Sequence, residues 1–341
     1  STSVWSNNPT VNFSWTPASD MLSGLDGYES SAGPLAAAAT GTPHTFMGDG
    51  ASHSFDLTAL DAAGNQSSTE TIGPFWIDNT PPESASDLTS DQAPNVWTKD
   101  PDFIFTWTAA TDATSGIAGY DSTGDGLMDL GDVNTTPRPY PDSDGETFTL
   151  TPFDLAGNTG SPISLGEFMI DTVLPNGITD FTSSQNADEW TKNPAFTFTW
   201  TSATDDRSGL AGYDLNGDGT GNIGAAATSR ETVFSEGDSN TFQIAAIDLA
   251  GNIEAGQVFG PFKVDQTKPI SATNLVANIP TETWSNDPHV DFTWTAATDA
   301  LSGLNGYDTT GDGSVDLDGA LTSMALLFTD GLDNQFGLYA Y

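Results

Sequence analysis

Short stretches in which large apolar residues alternate with small polar ones recur along the chain. In four of them a tryptophan follows apolar residues placed two and four positions earlier: Val11-x-Phe13-x-Trp15, Phe103-x-Phe105-x-Trp107, Phe196-x-Phe198-x-Trp200 and Val290-x-Phe292-x-Trp294. A period of two residues places these side chains on one face of an extended chain. The pattern predicts half-buried β-strands, and no stretch of useful length has the 3.6-residue period of a helix.

A second alternating stretch ends in an aspartate and is followed by a glycine and an asparagine. The turns are Asp61-Ala-Ala-Gly-Asn65, Asp154-Leu-Ala-Gly-Asn158 and Asp248-Leu-Ala-Gly-Asn252, and the strands after them end Phe75-x-Ile77, Phe168-x-Ile170 and Phe262-x-Val264. Gly and Asn tolerate the left-handed backbone of tight turns. The sequence therefore predicts that a hairpin closes each unit.

The leading tryptophans show that these patterns belong to one repeated unit. Trp5, Trp97, Trp190 and Trp284 follow one another after 92, 93 and 94 residues, the length of one β-sandwich domain. We predict an all-β fold, a tandem array of Ig-like β-sandwich domains over residues 1–80, 81–173, 174–267 and 268–341. Repeat one is expected to lack its first strand and repeat four its last. Two explanations are open: a window cut from a longer array, or strand donation by identical chains.

Net charge narrows the choice of partners. The chain has 47 acidic and 7 basic residues, a formal charge of −40. Nucleic acid and anionic membranes need Lys and Arg to neutralise phosphate, so we expect neither as a partner, and cations are the natural counter-species. The chain has no cysteine for disulfides or thiolate metal sites, and no run of 18 apolar residues that would insert this segment into a membrane.

Taken together, the motifs resemble a known group. Asp-x-x-Ser-Gly followed by a tyrosine, then Asp-x-Ala-Gly-Asn, then an aspartate near a proline, are similar to the bacterial and archaeal extracellular Ig-like repeats, of cadherin or fibronectin-III type, found in surface adhesins and stalk proteins. The resemblance spans nearly the whole chain. It implies an extracellular or cell-surface location and a structural or adhesive role as part of a stalk, surface layer or filament.

Three acidic, glycine-rich loops are the strongest candidates for chemistry. Their oxygen-bearing residues occupy positions 1, 3, 5 and 9 around a glycine at position 6, which is the spacing of loops that bind calcium ions (Ca2+). They resemble EF-hand-type and thrombospondin-type loops, here placed between strands. The alternative is a hairpin connection whose Asp and Gly satisfy turn geometry. The candidate ligands are Asp121, Thr123, Asp125, Asp129 and Asp132; Asp214, Asn216, Asp218 and Asn222; and Asp308, Thr310, Asp312 and Asp316.

Two further sets of aspartates lie near the repeat boundaries. Asp154 and its equivalents, with Asp78, Asp171 and Asp265, resemble the inter-module calcium sites of cadherins, although capping of a turn is the favoured alternative. The aspartates of Asp-x-x-Ser-Gly are ligands or Asx-turn residues, and the turn is favoured; they are Asp20, Asp112, Asp205 and Asp299.

An enzymatic role is not expected. His44, His53 and His289 occupy non-equivalent positions, no Gly-x-Ser-x-Gly or His-Glu-x-x-His motif is present, and the acidic pairs recur in each repeat as ligands or turns would. The leading hypothesis is a structural or adhesive protein rigidified by calcium, with a surface receptor or glycan as partner. The alternatives are glycan-binding or accessory modules of a larger secreted hydrolase, and acidity as a salt adaptation. Trp76 has no counterpart in the other repeats and is predicted to be the exposed aromatic.

Overall fold

The chain is all-β in a computed structural model that describes residues 4–331 and 334–341. The fold class predicted from the alternating patterns is therefore confirmed. The residues form two compact units, Ser1–Val173 and Leu174–Tyr341, and each contains two repeats. No helix within the described ranges is long and apolar enough to cross a membrane.

The first unit contains fifteen strands between residues 4 and 173. In repeat one they are β1 (Trp5–Ser6), β2 (Thr10–Ser14), β3 (Leu25–Ser30), β4 (Leu35–Ala36), β5 (Gly41–Thr45), β6 (Gly50–Asp61) and β7 (Glu70–Ile77). In repeat two they are β8 (Ser86–Ser90), β9 (Trp97–Thr98), β10 (Asp102–Thr108), β11 (Ile117–Asp121), β12 (Leu130–Gly131), β13 (Thr135–Pro139), β14 (Ser143–Asp154) and β15 (Ile163–Ile170).

The second unit contains fourteen strands within the described residues. In repeat three they are β16 (Thr179–Ser183), β17 (Trp190–Thr191), β18 (Ala195–Thr201), β19 (Leu210–Asp214), β20 (Ile223–Gly224), β21 (Ser229–Val233), β22 (Gly237–Asp248) and β23 (Gln257–Val264). In repeat four they are β24 (Thr273–Ala277), β25 (His289–Thr295), β26 (Gly306–Asp308), β27 (Leu317–Asp318), β28 (Ser323–Leu327) and β29 (Tyr339–Ala340).

Repeat two shows the sheet arrangement most fully. One sheet has the order β13-β10-β8 and the other has the order β12-β11-β14-β15-β9. The short strand β9 runs parallel to β15, with Trp97 opposite Met169, and the other pairs are antiparallel. Repeat three has the same two strand orders. The predicted hairpin of the last two long strands is formed in both repeats by β14 with β15 and by β22 with β23.

The core lies between the two sheets and is built around one stacked pair of phenylalanines. Phe105 from β10 and Phe148 from β14 are both fully buried, with ring centroids 4.0 Å apart. The period-two pattern of β10 explains this, because Phe103, Phe105 and Trp107 all point inward while the residues between them are exposed. Equivalent pairs occur in the other repeats, at 3.9, 4.2 and 4.3 Å: Phe13 with Phe55, Phe198 with Phe242 and Phe292 with Phe336.

The outer repeats have fewer strands among their described residues. Repeat one pairs β2 only with β5 in its smaller sheet, and repeat four has no strand paired with the segment of Trp284. Trp284 is consequently 84% exposed, whereas Trp97 is half-buried beside β15. The prediction that Trp76 is the exposed aromatic was wrong. Trp76 is half-buried, because parallel pairing of β1 with β7 brings its ring centroid to 5.4 Å from that of Trp5.

Phe105→Ala is expected to destabilise repeat two by about 3–5 kcal/mol, because it removes a buried ring and leaves a cavity between the sheets. Urea unfolding followed by tryptophan fluorescence measures the change. Ile104→Ala is the matched control on the same strand, since Ile104 is 51% exposed, and it should change stability by only about 0.5 kcal/mol. Equal losses for the two variants would contradict the assigned register.

Candidate functional site

The three loops predicted to bind calcium all connect neighbouring strands of one sheet, β11 with β12, β19 with β20 and β26 with β27. We call residues 121–129, 214–222 and 308–316 the acidic loops. Their first residues, Asp121, Asp214 and Asp308, are the last residues of β11, β19 and β26, and all three are buried. The other candidate ligands are exposed along the loops. Each loop therefore has one buried carboxylate at the end of a strand, and several exposed oxygen-bearing side chains.

Backbone N–H groups of the same loop surround the first carboxylate. In repeat two, Thr123 and Gly124 donate to Asp121 Oδ1 at 2.9 and 2.6 Å, and Gly126 donates to Oδ2 at 2.8 Å. Gly124 and Gly126 have φ values of 78° and 82°, which explains the need for glycine there. Asp214 and Asp308 accept the equivalent bonds in repeats three and four. The turn geometry of the alternative explanation is thus present in every copy.

The residue at position 9 folds back over the start of each loop. Asp129 Oδ2 accepts the N–H groups of Ser122 and Thr123, at 2.9 and 3.0 Å. Asp316 Oδ2 and Asn222 Oδ1 accept the N–H groups at the corresponding positions, at 2.7 and 2.6 Å. This contact ties the ninth residue of each loop to the start of the same loop.

The loop of repeat two gathers three carboxylates. Asp121, Asp125 and Asp129 each offer one oxygen, and the three oxygens lie within 4.8 Å of one another. Among the described residues no such group is formed by the equivalent residues of repeats three and four, and Asp132 lies outside the group. In repeat three, the Asn216 side-chain nitrogen donates to Asp218 at 2.9 Å, so that side chain presents a donor to the carboxylate.

The hydroxyls at position 3 behave alike in two loops. Thr123 and Thr310 each place Oγ1 3.3 Å from the first carboxylate of their loop. Both hydroxyls therefore lie within hydrogen-bond distance of the buried Asp.

Ionisation of the loop carboxylates is favoured by their surroundings. Burial alone would raise the pKa of Asp121, but the N–H groups of Gly124, Gly126 and Thr123 together outweigh burial and lower its pKa below the ordinary value of 3.8. The pKa of Asp308 is lowered chiefly by the N–H of Gly313, and that of Asp129 chiefly by the N–H of Ser122. Asp121, Asp129 and Asp308 are therefore charged at neutral pH.

A second carboxylate group lies where repeat one meets repeat two. Asp78 follows β7, Asp112 lies between β10 and β11, and Asp154 ends β14; their oxygens lie within 4.8 Å of one another. Asp78 is fully buried and Asp154 is buried. Asp112 Oδ1 accepts the N–H groups of Thr114, Ser115 and Gly116, so the Asx-turn expected from the sequence is formed. Burial tends to raise the pKa of Asp112, and these N–H groups lower it overall.

Two residues at this boundary were not recognised from the sequence as contacts. Ser115 N–H donates to Asp78 Oδ2 at 3.0 Å, and Asn158 Nδ2 donates to the Asp78 carbonyl at 2.9 Å and to Asp154 Oδ2 at 2.6 Å. Both belong to motifs that recur in the sequence, Asp-x-x-Ser-Gly and Asp-x-Ala-Gly-Asn. The recurrence identified the turns, but the partner from the preceding repeat is visible only in three dimensions.

The second unit has a related contact between repeats three and four. Ser302 N–H donates to Asp265 Oδ2 at 3.0 Å. The hydrogen bond with the Ser302 side chain is the largest cause lowering the pKa of Asp265.

Asp171, the third boundary aspartate, belongs to the first unit. It is fully buried and accepts the N–H of Val173 at 3.1 Å.

Two curated proteins of Cellulomonas fimi are similar to this chain. Exoglucanase B is 31% identical over 218 residues, which is 59% of this chain and 19% of that protein. Exoglucanase A is 28% identical over 266 residues, which is 72% of this chain and 30% of that protein. The chain therefore spans less than a third of the length of either relative. No family model matches it.

Several solved structures share the β-sandwich fold at low identity. The fibronectin(III)-like modules of Clostridium thermocellum CbhA are 13% identical, over 52% of this chain and 95% of that one, with a TM-score of 0.31. The FN1-FN3 domains of chicken CNTN1 are 12% identical, over 74% and 94%, with a TM-score of 0.25. The chain's own strand orders give a fibronectin-III-like tandem fold.

The contribution of the ionised Asp121 carboxylate to the stability of repeat two should depend on pH. The pKa of Asp121 is lowered in the folded state, so its stabilisation is complete above the ordinary value of 3.8 and is lost as the pH falls through 3.8 towards the folded value. Asp121→Asn should reduce the stability of repeat two by about 1–3 kcal/mol near neutral pH, and should cost much less below the folded pKa.

The measurement is thermal unfolding across a pH series. Asp132→Asn is the matched control, because Asp132 is exposed and lies outside the carboxylate group. A cost of Asp121→Asn that stays constant from neutral to acid pH would contradict the assigned ionisation.

Proposed function

We propose that the chain is a non-catalytic accessory region of a larger, secreted glucan-degrading enzyme, in which the tandem repeats act as a spacer. The observation that carries the proposal is the similarity to two exoglucanases, each of which is several times longer than the matched region. This supports the hydrolase-accessory hypothesis over the surface stalk or filament that the motifs alone favoured. An extracellular location follows as part of the same proposal.

The geometry supports a spacing role for the repeats. The boundary between repeats one and two includes three hydrogen bonds from the second repeat to Asp78 and Thr80: from Ser115 N to Asp78 Oδ2, and from Asn158 Nδ2 to the carbonyls of Asp78 and Thr80. Such bonds restrict rotation of one repeat against the next without requiring a large apolar interface. A spacer with this property holds attached domains apart, while its acidic surface favours solubility.

Removal of these 341 residues from the intact enzyme should test the spacing role. We expect hydrolysis of a soluble oligosaccharide to be unchanged, because the repeats are non-catalytic. Hydrolysis of an insoluble glucan should fall, because the catalytic domain loses reach relative to any module anchored on the polymer. Equal rates with and without the region on the insoluble substrate, or a gene that encodes only further repeats, would contradict this proposal.

Calcium binding is part of the proposal. Calcium takes six to eight oxygens at about 2.3–2.6 Å, so ligands on opposite sides of one ion are about 5 Å apart. The oxygens of Asp121, Asp125 and Asp129, and those of Asp78, Asp112 and Asp154, are grouped within this range. Ionised carboxylates this close repel one another, and a divalent cation would offset that repulsion. The loop of repeat two is the leading site, and the boundary group is the second.

Calcium should raise the unfolding midpoint of the chain. At a concentration of 100 times the dissociation constant, one site adds about 2.7 kcal/mol to the stability of the repeat that holds it. Differential scanning calorimetry in chelator and in calcium measures the shift. Magnesium at equal ionic strength controls for screening, and an equal response to both ions would favour the salt-adaptation alternative.

The double variant Asp125→Asn/Asp129→Asn distinguishes loss of calcium binding from loss of folding stability. It should be about as stable as the parent in chelator, because the asparagine Oδ1 can accept the N–H groups that Asp129 Oδ2 accepts, as Asn222 does in repeat three. It should lose the calcium response of repeat two. Asp218→Asn is the matched substitution in repeat three, where Asn222 already replaces a carboxylate. A midpoint that does not change from micromolar to millimolar calcium would remove the metal from the proposal.

A glycan contact would have to use other residues than the sequence suggested. Trp76 packs on Trp5, whereas Trp284 is exposed. Binding of the chain to an insoluble glucan that is lost in Trp284→Ala, and kept in Trp76→Ala, would assign a glycan-binding role in addition to spacing.

A further inference from the structure

One tyrosine hydroxyl makes the same hydrogen bond in all four repeats. The tyrosine accepts the backbone N–H of the alanine ten residues earlier, at 2.9, 2.9, 3.1 and 2.9 Å; the pairs are Ala18 with Tyr28, Ala110 with Tyr120, Ala203 with Tyr213 and Ala297 with Tyr307. Each tyrosine ring also packs edge-on against a tryptophan, with centroids 5.5–5.7 Å apart. The hydroxyl is therefore held at a fixed place by the core.

The alanine begins a loop that receives the preceding linker. We call residues 109–116 of repeat two, between β10 and β11, the Ser-Gly loop. Thr111, next to Ala110, accepts the N–H of Glu83 at 2.9 Å. In the second unit, Thr204 accepts from Asn176 at 2.8 Å and Thr298 accepts from Ile270 at 2.7 Å. The incoming chain is thus bonded to the residue that directly follows the tyrosine's partner.

The far end of the same loop binds the preceding repeat. Ser115 N–H donates to Asp78 Oδ2, and in repeat four Ser302 N–H donates to Asp265 Oδ2, both at 3.0 Å. The Ser-Gly loop contains no strand, so its path depends on a few hydrogen bonds and on the positive φ of Gly116. Ala110 is buried, and losing the hydroxyl would leave its N–H without this acceptor.

We infer that Tyr120 is a positioning residue for the joint between repeats one and two, because its hydroxyl fixes the loop that holds both Glu83 and Asp78. Tyr307 has the same role between repeats three and four. This joint includes direct hydrogen bonds from Ser115 N–H to Asp78 and from Glu83 N–H to Thr111. It depends neither on the calcium proposal nor on the hydrolase proposal.

Repeat one supplies a matched control. Tyr28 makes the same hydrogen bond and the same tryptophan contact. The bonds to Asp78 and Glu83 come from the loop of repeat two, at Ser115 and Thr111. Tyr28→Phe therefore removes the same core hydroxyl from a loop that holds neither Asp78 nor Glu83.

The test is amide hydrogen exchange by NMR on the intact chain in chelator. In Tyr120→Phe, protection of Ala110 should fall about fivefold or more, and protection of Glu83 and Ser115 should fall with it. In Tyr28→Phe, protection of Ala18 should fall while Glu83 and Ser115 keep theirs. If Tyr120→Phe lowers protection at Ala110 alone, the inference is overturned. The hydroxyl would then stabilise only the Ala110 N–H and not the contacts of the loop with Glu83 and Asp78.

A distance measurement between repeats gives an independent readout. The chain has no cysteine, so spin labels at Asn12→Cys and Ile104→Cys report on equivalent strands, β2 and β10. Pulsed electron resonance should show a broader distance distribution in Tyr120→Phe and an unchanged one in Tyr28→Phe. If Tyr120→Phe instead exposes every amide of β14, repeat two has unfolded. In that case Tyr307→Phe is the test, with amide protection measured at Ile270 and Ser302. Unchanged protection at these two amides would reject the inference.

Discussion

The stack of two phenylalanine rings across the sheets is the interaction on which each repeat depends. In repeats one to three it joins a strand of the smaller sheet to the long strand of the larger one, and the rings are 3.9–4.3 Å apart in all four copies. The chain has no disulfide to replace it and carries 47 acidic residues that repel one another. Burial of large aromatic rings supplies the attraction that a small, strongly charged domain requires.

The fold tolerates so many aspartates because many of their carboxylates accept hydrogen bonds from backbone N–H groups. Asp121 and Asp154 each accept two or more N–H groups from their own turns, and Asp78 accepts one from the next repeat. Loop N–H groups that strands cannot pair are satisfied in this way. The same arrangement places oxygens of Asp121 and of Asp78 each near two further carboxylates, so the proposed cation binding is compatible with turn formation.

A non-catalytic accessory role is consistent with how the repeats are joined. Contacts between repeats one and two involve a few hydrogen bonds to the end of β7 and to the linker after it, and they use the Ser-Gly loop and the Asn158 turn. Because each contact uses motifs that every complete repeat contains, copies can be added in series without a new interface. Stability then accumulates repeat by repeat, as expected for a linear array.

The sequence by itself determined the strands, the core face and the turns, because these depend on local periodicity and on the backbone preferences of Gly, Asn and Asp. Phe105 and Phe148 could be placed in the core from alternation alone, and Asp112 in its turn from the Ser-Gly that follows. Tertiary structure decided which distant groups meet. Trp76 is covered because β1 pairs with β7, and Asp78 reaches Ser115 and Asn158 of the next repeat. These contacts arise when strands pair and repeats pack against each other. The residues involved are far apart in sequence, so motif spacing does not show that they meet.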